Sequence, residues 1–175
     1  VEIIGLLTAE ANRMTDLVHD LLDHAALELG RLELHIEEVD LHDLAAEVAR
    51  SMRARAAEKQ QEVRIEGGGC RVLADRDRLR QVLENLVSNG LKFGFPGSAV
   101  YIGIEPHPLG EGCRIMVRDE GPGLSQEDRE RLFAPFRRLT ARPTGGERST
   151  GLGLTIVHQL VRLHGGQVGV LSSEG

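Results

Sequence analysis

The chain has 175 residues, of which 41% are apolar, 27% charged and 3% aromatic, with a formal net charge of −6. That length accommodates one compact α/β domain plus a modest extra element, and its core must rest on Leu, Val, Ile and Ala rather than on stacked rings. The bases are nearly all Arg, with Lys only at 59 and 92 and no basic block, which disfavours a nucleic-acid-binding face; no run approaches the roughly 18 apolar residues that cross a bilayer.

Residues 1–29 place Ile4, Leu7, Ala11, Met14, Val18, Leu21 and Ala25 at alternating steps of three and four, a heptad seam that asks for a partner helix. Leu17, Leu22 and Leu29 widen the stripe toward bundle packing, and Gly30 is the natural stop. A start without Met inside a helical pattern, and an end at "LSSEG", lead to the expectation that this is an excised piece. A domain boundary is expected near residues 30–40.

"LELHIEEVDL" reads as a short strand running into Asp40, the expected cap of a helix over about residues 41–60 with Leu44, Val48 and Met52 inward. "EVRIEG" and "CRVLAD" follow as strands, then a helix from about Arg76 to Phe93, then the strands "AVYIGIEP" and "CRIMVRD". Residues 124–150 hold a short helical piece near "SQEDRERLF" and a polar, breaker-rich loop, expected to act as a cover. "GLGLTIVHQLVRLHGG" closes the chain as an amphipathic helix, with "QVGVLS" expected as a last strand. Cys70 and Cys113 stand singly in predicted strands without CxxC spacing, so neither a zinc site nor a disulfide is expected, and both read as buried thiols of a reducing compartment.

Three stretches carry chemistry. In "LRQVLENLVSNGLKFG", Asn85, Asn89 and Lys92 are spaced to share one helical face while Leu79, Val82, Leu83, Leu86 and Val87 cover the other. Amide oxygens there suit a hard cation such as Mg²⁺ and the ammonium suits phosphate, with a solvent-facing polar stripe as the alternative. In "RDEGPGLSQ", Asp119 ends a strand before Gly121 and Gly123, a fixed acceptor for an exocyclic amine beside backbone that a flat ligand can approach, although Asp-Gly turns are common in any loop. In "STGLGLTIV", Thr150, Gly151 and Gly153 open a helix whose free N–H groups favour an anion. A third Rossmann glycine and a GxxxxGK[ST] loop are both missing.

The order of these stretches, with "FAPF" between the last two, resembles the ATP-binding catalytic domain of bacterial sensor histidine kinases, within the wider gyrase and histidine kinase ATPase fold, with its N, G1, F and G2 boxes in sequence. The likeness spans about residues 36–175, and "MTDLVHDLLDHAALELGRLEL" looks like that family's second dimerisation helix. It implies an α/β fold of the Bergerat (GHKL) type, an α+β two-layer sandwich with a mixed sheet covered on one face by helices. Residues 1–33 would be the partial dimerisation helix and 34–175 the catalytic domain, its last strand cut short.

The resemblance also implies roles. Asn89 binds Mg²⁺ with Asn85 assisting, Lys92 touches phosphate, Asp119 accepts from the adenine amine, Gly121 and Gly123 permit close approach, and Thr150, Gly151, Leu152, Gly153 and Leu154 lie along the bound ATP. Phe133 and Phe136 would anchor a mobile ATP lid over 124–150, or serve as ordinary core. Gly90 and Phe93 stand where the family more often has Ala and Tyr, mild departures. Asn85 stands where the hydrolysing relatives carry a Glu base, and an amide cannot take a proton from water, so transfer to a protein acceptor fits better than hydrolysis. Glu84, about 100° around the helix, is left without a role.

A phosphoacceptor histidine motif is missing. His19 in "HDLLDH" and His42 in "HDLAAE" lack its basic residue and proline, while His24, His35, His107, His158 and His164 have no acid partner at ligand spacing. The acceptor is therefore expected on a histidine helix of the same or a partner subunit, with a response regulator downstream, homodimerisation through residues 1–29, no nucleic acid, no membrane contact and a cytoplasmic location. A gyrase-like or chaperone-like ATPase and a non-catalytic dimerisation module are the competing readings.

Overall fold

The computed structural model describes residues 11, 14–15, 17–18, 21–23, 25–108, 112–135, 140, 142–145 and 151–172. Residues 25–28 are helical and the helix ends at Gly30, whose φ of 62° lies in the left-handed region. Gly30 N–H donates to Leu27 C=O and Arg31 N–H to Ala26 C=O, the doubled closure that a left-handed glycine allows. Met14, Val18, Leu21 and Leu22 of the heptad stripe are all more than half exposed, so the seam is open within one chain. Ile4 and Leu7 lie outside the described residues.

Strand β1 (Glu37–Asp40) leads into α1 (Leu41–Ser51), capped by Asp40 Oδ1, which accepts from His42 N–H at 3.0 Å and Asp43 N–H at 3.2 Å. The helix expected over 41–60 is two helices. Ser51 Oγ donates back to Val48 C=O at 2.9 Å, a local competitor for the ladder, and a second helix, α2 (Arg53–Glu58), starts beyond Met52. Then come β2 (Glu62–Gly67), β3 (Arg71–Ala74), α3 (Arg76–Phe93), β4 (Ala99–Pro106), β5 (Cys113–Arg118), α4 (Gln126–Arg131) and α5 (Gly153–Leu163).

β1 pairs antiparallel with β3; in a separate sheet β4 lies between a parallel β2 and an antiparallel β5. Alternation along β4 sends Val100, Ile102 and Ile104 inward, where they are at most 2% exposed and meet Leu41, Leu44 and Val48 of α1 and Leu83, Val87 and Leu91 of α3. The opposite face stays open, and there the Arg118 guanidinium lies 4.2 Å from the Tyr101 ring centroid. A second cluster of Val82, Leu152, Ile156, Val157 and Leu160 joins α5 to α3, with Leu27 and Leu32 packed against it. This is the expected two-layer α/β architecture, with α3 shared by both cores.

Two expectations need correction. "QVGVLS" forms no strand: a period-2 pattern defines faces, but a strand exists only with a neighbour to complete its ladder, and among the described residues none pairs with 167–172. Cys70 and Cys113 are neither free nor fully buried; they form a disulfide, with Cα atoms 6.2 Å apart and a sequence separation of 43. Folding sets the start of β3 beside the start of β5 and so joins the two sheets, a proximity that local spacing does not encode.

Candidate functional site

Helix α3 is fixed at both ends. Asp75 Oδ1 accepts from Arg78 N–H at 3.0 Å, and Asp75 N–H donates to His164 Nε2 at 3.1 Å, tying the start of α3 to the end of α5. Asp75 Oδ2 also accepts from His35 N–H at 3.0 Å. Burial pushes the pKa of Asp75 up, but the N–H donors of His35 and Arg78, with the Arg78 charge, outweigh it and hold the carboxyl below its ordinary value. Arg78 and Gln81 further hold Asp23 of the N-terminal helix at 3.1 Å and 2.6 Å.

The three predicted stretches converge on α3. A Cβ placed on Gly153 would lie 2.9 Å from Asn85 Oδ1, so the opening of α5 sits directly on the first amide. A Cβ on Gly90 would lie 3.0 Å from Val100 Cγ1 and 3.5 Å from Asp119 Cβ, which puts the end of β5 against the last turn of α3. A Cβ on Gly121 would lie 2.7 Å from Asp119 Oδ1 and 2.8 Å from Phe93 C=O. Phe95 N–H donates to Glu120 C=O at 3.0 Å, stitching the exit of α3 to the same loop. Gly90 is closely packed: for a Cβ there the methyl groups of Val100, at 3.0 and 3.1 Å, would have to give by a few tenths of an ångström.

Asp119 is exposed just beyond the end of β5, yet neighbouring protein partly desolvates its carboxyl. The resulting loss of hydration is the larger influence and raises its pKa, against a smaller lowering by the Gly121 N–H. The neighbouring Arg118 stacks on Tyr101 on the outer sheet face. Asn85 and Asn89 are half-buried, whereas Lys92 is 6% exposed with its ammonium 5.8 Å from the Phe93 ring centroid. Gly123 and Gly151 have φ of 76° and 74°, values that favour glycine. Leu152 is buried in the α3–α5 cluster and Leu154 is half-buried. Thr150 and Phe136 lie outside the described residues.

The segment after Gly123 is tied down at points that sequence reading missed. Asp128 accepts from Thr140 N–H at 3.1 Å and from its hydroxyl at 2.5 Å; Thr155 Oγ1 donates to Phe133 C=O at 3.2 Å, and Phe133 lies 5.4 Å from the His158 ring. Thr144 and Lys59 meet at the end of α3, at 2.6 Å. Among the described residues no group of three or more His, Cys, Asp or Glu side chains is arranged to hold a metal, so a divalent cation here would rest on the amide oxygens of Asn85 and Asn89 together with ligand oxygens and water. That donor set fits Mg²⁺, which keeps much of its shell as water and phosphate oxygen.

Residues 74–175 match the family described as histidine kinase-, DNA gyrase B- and HSP90-like ATPases. The chain belongs to this family. The swarming motility regulation sensor protein RssA of Serratia marcescens is 36% identical over 97% of the chain and 35% of its own length, and the histidine protein kinase DivJ of Caulobacter vibrioides is 33% identical over 99% of the chain and 29% of its own. Full-length ShkA, solved in complex with AMPPNP, superposes with a TM-score of 0.83 at 34% identity, covering 99% of the chain and 36% of ShkA. Within this ATPase family the chain has the ATP-binding catalytic domain of sensor histidine kinases, and it spans between 11% and 35% of the length of such curated relatives. Among the described residues no helix is long and apolar enough to cross a membrane.

Proposed function

We propose that this chain is the part of a two-component sensor histidine kinase that binds Mg²⁺-ATP and presents its γ-phosphoryl group to a histidine outside these 175 residues. The observation that carries the reading is the meeting of three separate stretches on one helix, with Gly153 against Asn85, Gly90 against Asp119 and Gly121 against Phe93. Asp119 accepts from the adenine amine, Gly121 and Gly123 let the base lie close to backbone, and Gly151 and Gly153, with Thr150, Leu152 and Leu154, offer N–H groups to the phosphates. Asn89 and Asn85 hold the metal, which when bound neutralises charge on the phosphate oxygens. Lys92 reaches the phosphate only when the cover around it opens, since it is 6% exposed.

In the transfer, a histidine ring nitrogen forms a bond to the γ-phosphorus as the bond to the ADP oxygen breaks. No side chain here has to activate water, and the amide at Asn85 could not serve as that base. The phosphohistidine then supplies a response regulator. Residues 1–33 act as the second helix of the dimerisation domain, pairing two chains through the exposed stripe of Met14, Val18 and Leu21, with residues 34–175 as the catalytic domain on the cytoplasmic side. Calorimetric titration with AMPPNP, with and without Mg²⁺, tests the reading. Asn89→Ala should bring the two affinities together while the metal-free affinity stays in place; a metal dependence that survives this change overturns the assignment.

A further inference from the structure

Lys59 follows α2, far in sequence from any of the boxes, yet its ammonium reaches the carbonyl end of α3. Nζ donates to Leu91 C=O at 2.7 Å, to Lys92 C=O at 3.1 Å and to Thr144 Oγ1 at 2.6 Å. Thr144 adds its own contacts: its N–H donates to Lys92 C=O at 3.1 Å, and its hydroxyl lies 2.7 Å from Gly94 C=O. A hydroxyl has one proton, so the chemically consistent chain runs from the Lys59 ammonium to Thr144 Oγ1, and from the Thr144 hydroxyl to Gly94 C=O. Leu91, Lys92 and Gly94 are among the last residues of the helix and its cap, whose carbonyls have no partner within the helix itself. A positive charge belongs at this end of the dipole.

The backbone holds Lys59 in place from behind. Gly97 N–H donates to Lys59 C=O at 3.0 Å, and two residues on Gln61 Nε2 donates to Phe95 C=O at 3.1 Å. The turn between α2 and β2 therefore grips both the exit of α3 and the strand connection after it.

We infer that Lys59 is a positioning residue that couples the segment covering the nucleotide site to the helix that binds metal and phosphate. Through one ammonium it caps the carbonyl end of α3 at Leu91 and Lys92, two and three residues beyond Asn89, and fastens Thr144 of the 124–150 segment to that terminus. The inference rests on the reading of α3 as the Mg²⁺-ATP helix. Removing the ammonium leaves Leu91 C=O without this donor and loosens the segment, which then keeps only Thr144's own bonds to Lys92 C=O and Gly94 C=O, so nucleotide that needs both in register is held less tightly.

The test uses Lys59→Met, Lys59→Arg and Thr144→Val, each followed by amide hydrogen exchange of the 140–152 peptide and of β4, and by AMPPNP titration with Mg²⁺. Lys59→Met should speed exchange in the 140–152 peptide about tenfold with β4 unchanged, and weaken AMPPNP about tenfold, as loss of one charged hydrogen bond implies. Lys59→Arg should restore most of both, whereas a space-filling role would not be rescued by a charge of different shape. Thr144→Val should reproduce the exchange effect while α3 keeps its lysine contacts; if Lys59→Met fails to fold, this variant decides alone. Exchange in the 140–152 peptide unchanged in the folded variants overturns the inference. Failure of the unsubstituted protein to bind AMPPNP overturns the nucleotide reading instead, and leaves the nucleotide-free exchange comparison to judge the tether.

Discussion

Replacing Asp119 by Ala separates base recognition from folding, because the two depend on its charge with opposite sign. Loss of hydration raises its pKa above the ordinary 3.8, with the Gly121 N–H opposing. A carboxyl whose folded pKa exceeds its unfolded one favours the fold in its protonated form; that contribution is complete below the unfolded value and is lost as pH rises through the folded value. At neutral pH the ionised group is a cost to the nucleotide-free protein, so Asp119→Ala should leave the thermal midpoint unchanged or slightly raised. Binding runs the other way. A hydrogen bond to a charged acceptor is worth about 1.5–3 kcal/mol, so the variant should bind AMPPNP about 10- to 150-fold more weakly at neutral pH. Tripolyphosphate, which has no base, should bind both proteins equally. In the unsubstituted protein AMPPNP affinity should fall on acidification at a higher pH than an ordinary aspartate would dictate. Undiminished AMPPNP affinity in the variant, or an equal loss for tripolyphosphate, would refute the assignment of Asp119 to the base.

Gly121→Ala forces a methyl to within 2.7 Å of Asp119 Oδ1 and 2.8 Å of Phe93 C=O, and should lower the urea unfolding free energy by about 1–3 kcal/mol while weakening AMPPNP. Asp75→Ala removes the cap of α3 and the acceptor for His35, costing about 1–2 kcal/mol at neutral pH. Because the folded pKa of Asp75 lies below its ordinary 3.8, that contribution is present above the unfolded value and disappears as pH falls through the folded one, so chemical denaturation at stepped pH should show variant and parent converging in acid. Reduction of the Cys70–Cys113 bridge, which spans 43 residues, should cost about 2–4 kcal/mol in urea unfolding, and the double Ser variant should be insensitive to reductant.

Much of this protein could be read along the chain, because the relevant signals are short-range. The stretch from Arg76 to Phe93 carries its helical periodicity and its Asp75 cap within twenty residues, and the helix forms over those bounds. "AVYIGIEP" alternates, and it is a strand of that extent. Gly121 and Gly153 lie where a Cβ would meet neighbouring atoms at under 3 Å, and Gly123 and Gly151 take the left-handed backbone that glycine allows. Tertiary structure decided what depends on neighbours distant in sequence. "QVGVLS" has the pattern of a strand and no strand beside it. Cys70 and Cys113 have no telling spacing and still bond, since β3 and β5 start side by side. Lys59 looks like one charge on a solvated turn until Thr144 and the end of α3 arrive around it. The division follows from range: capping, periodicity and backbone freedom act over a few residues and are written locally, whereas a ladder, a disulfide and a shared ammonium require partners that only the folded chain brings within a few ångströms.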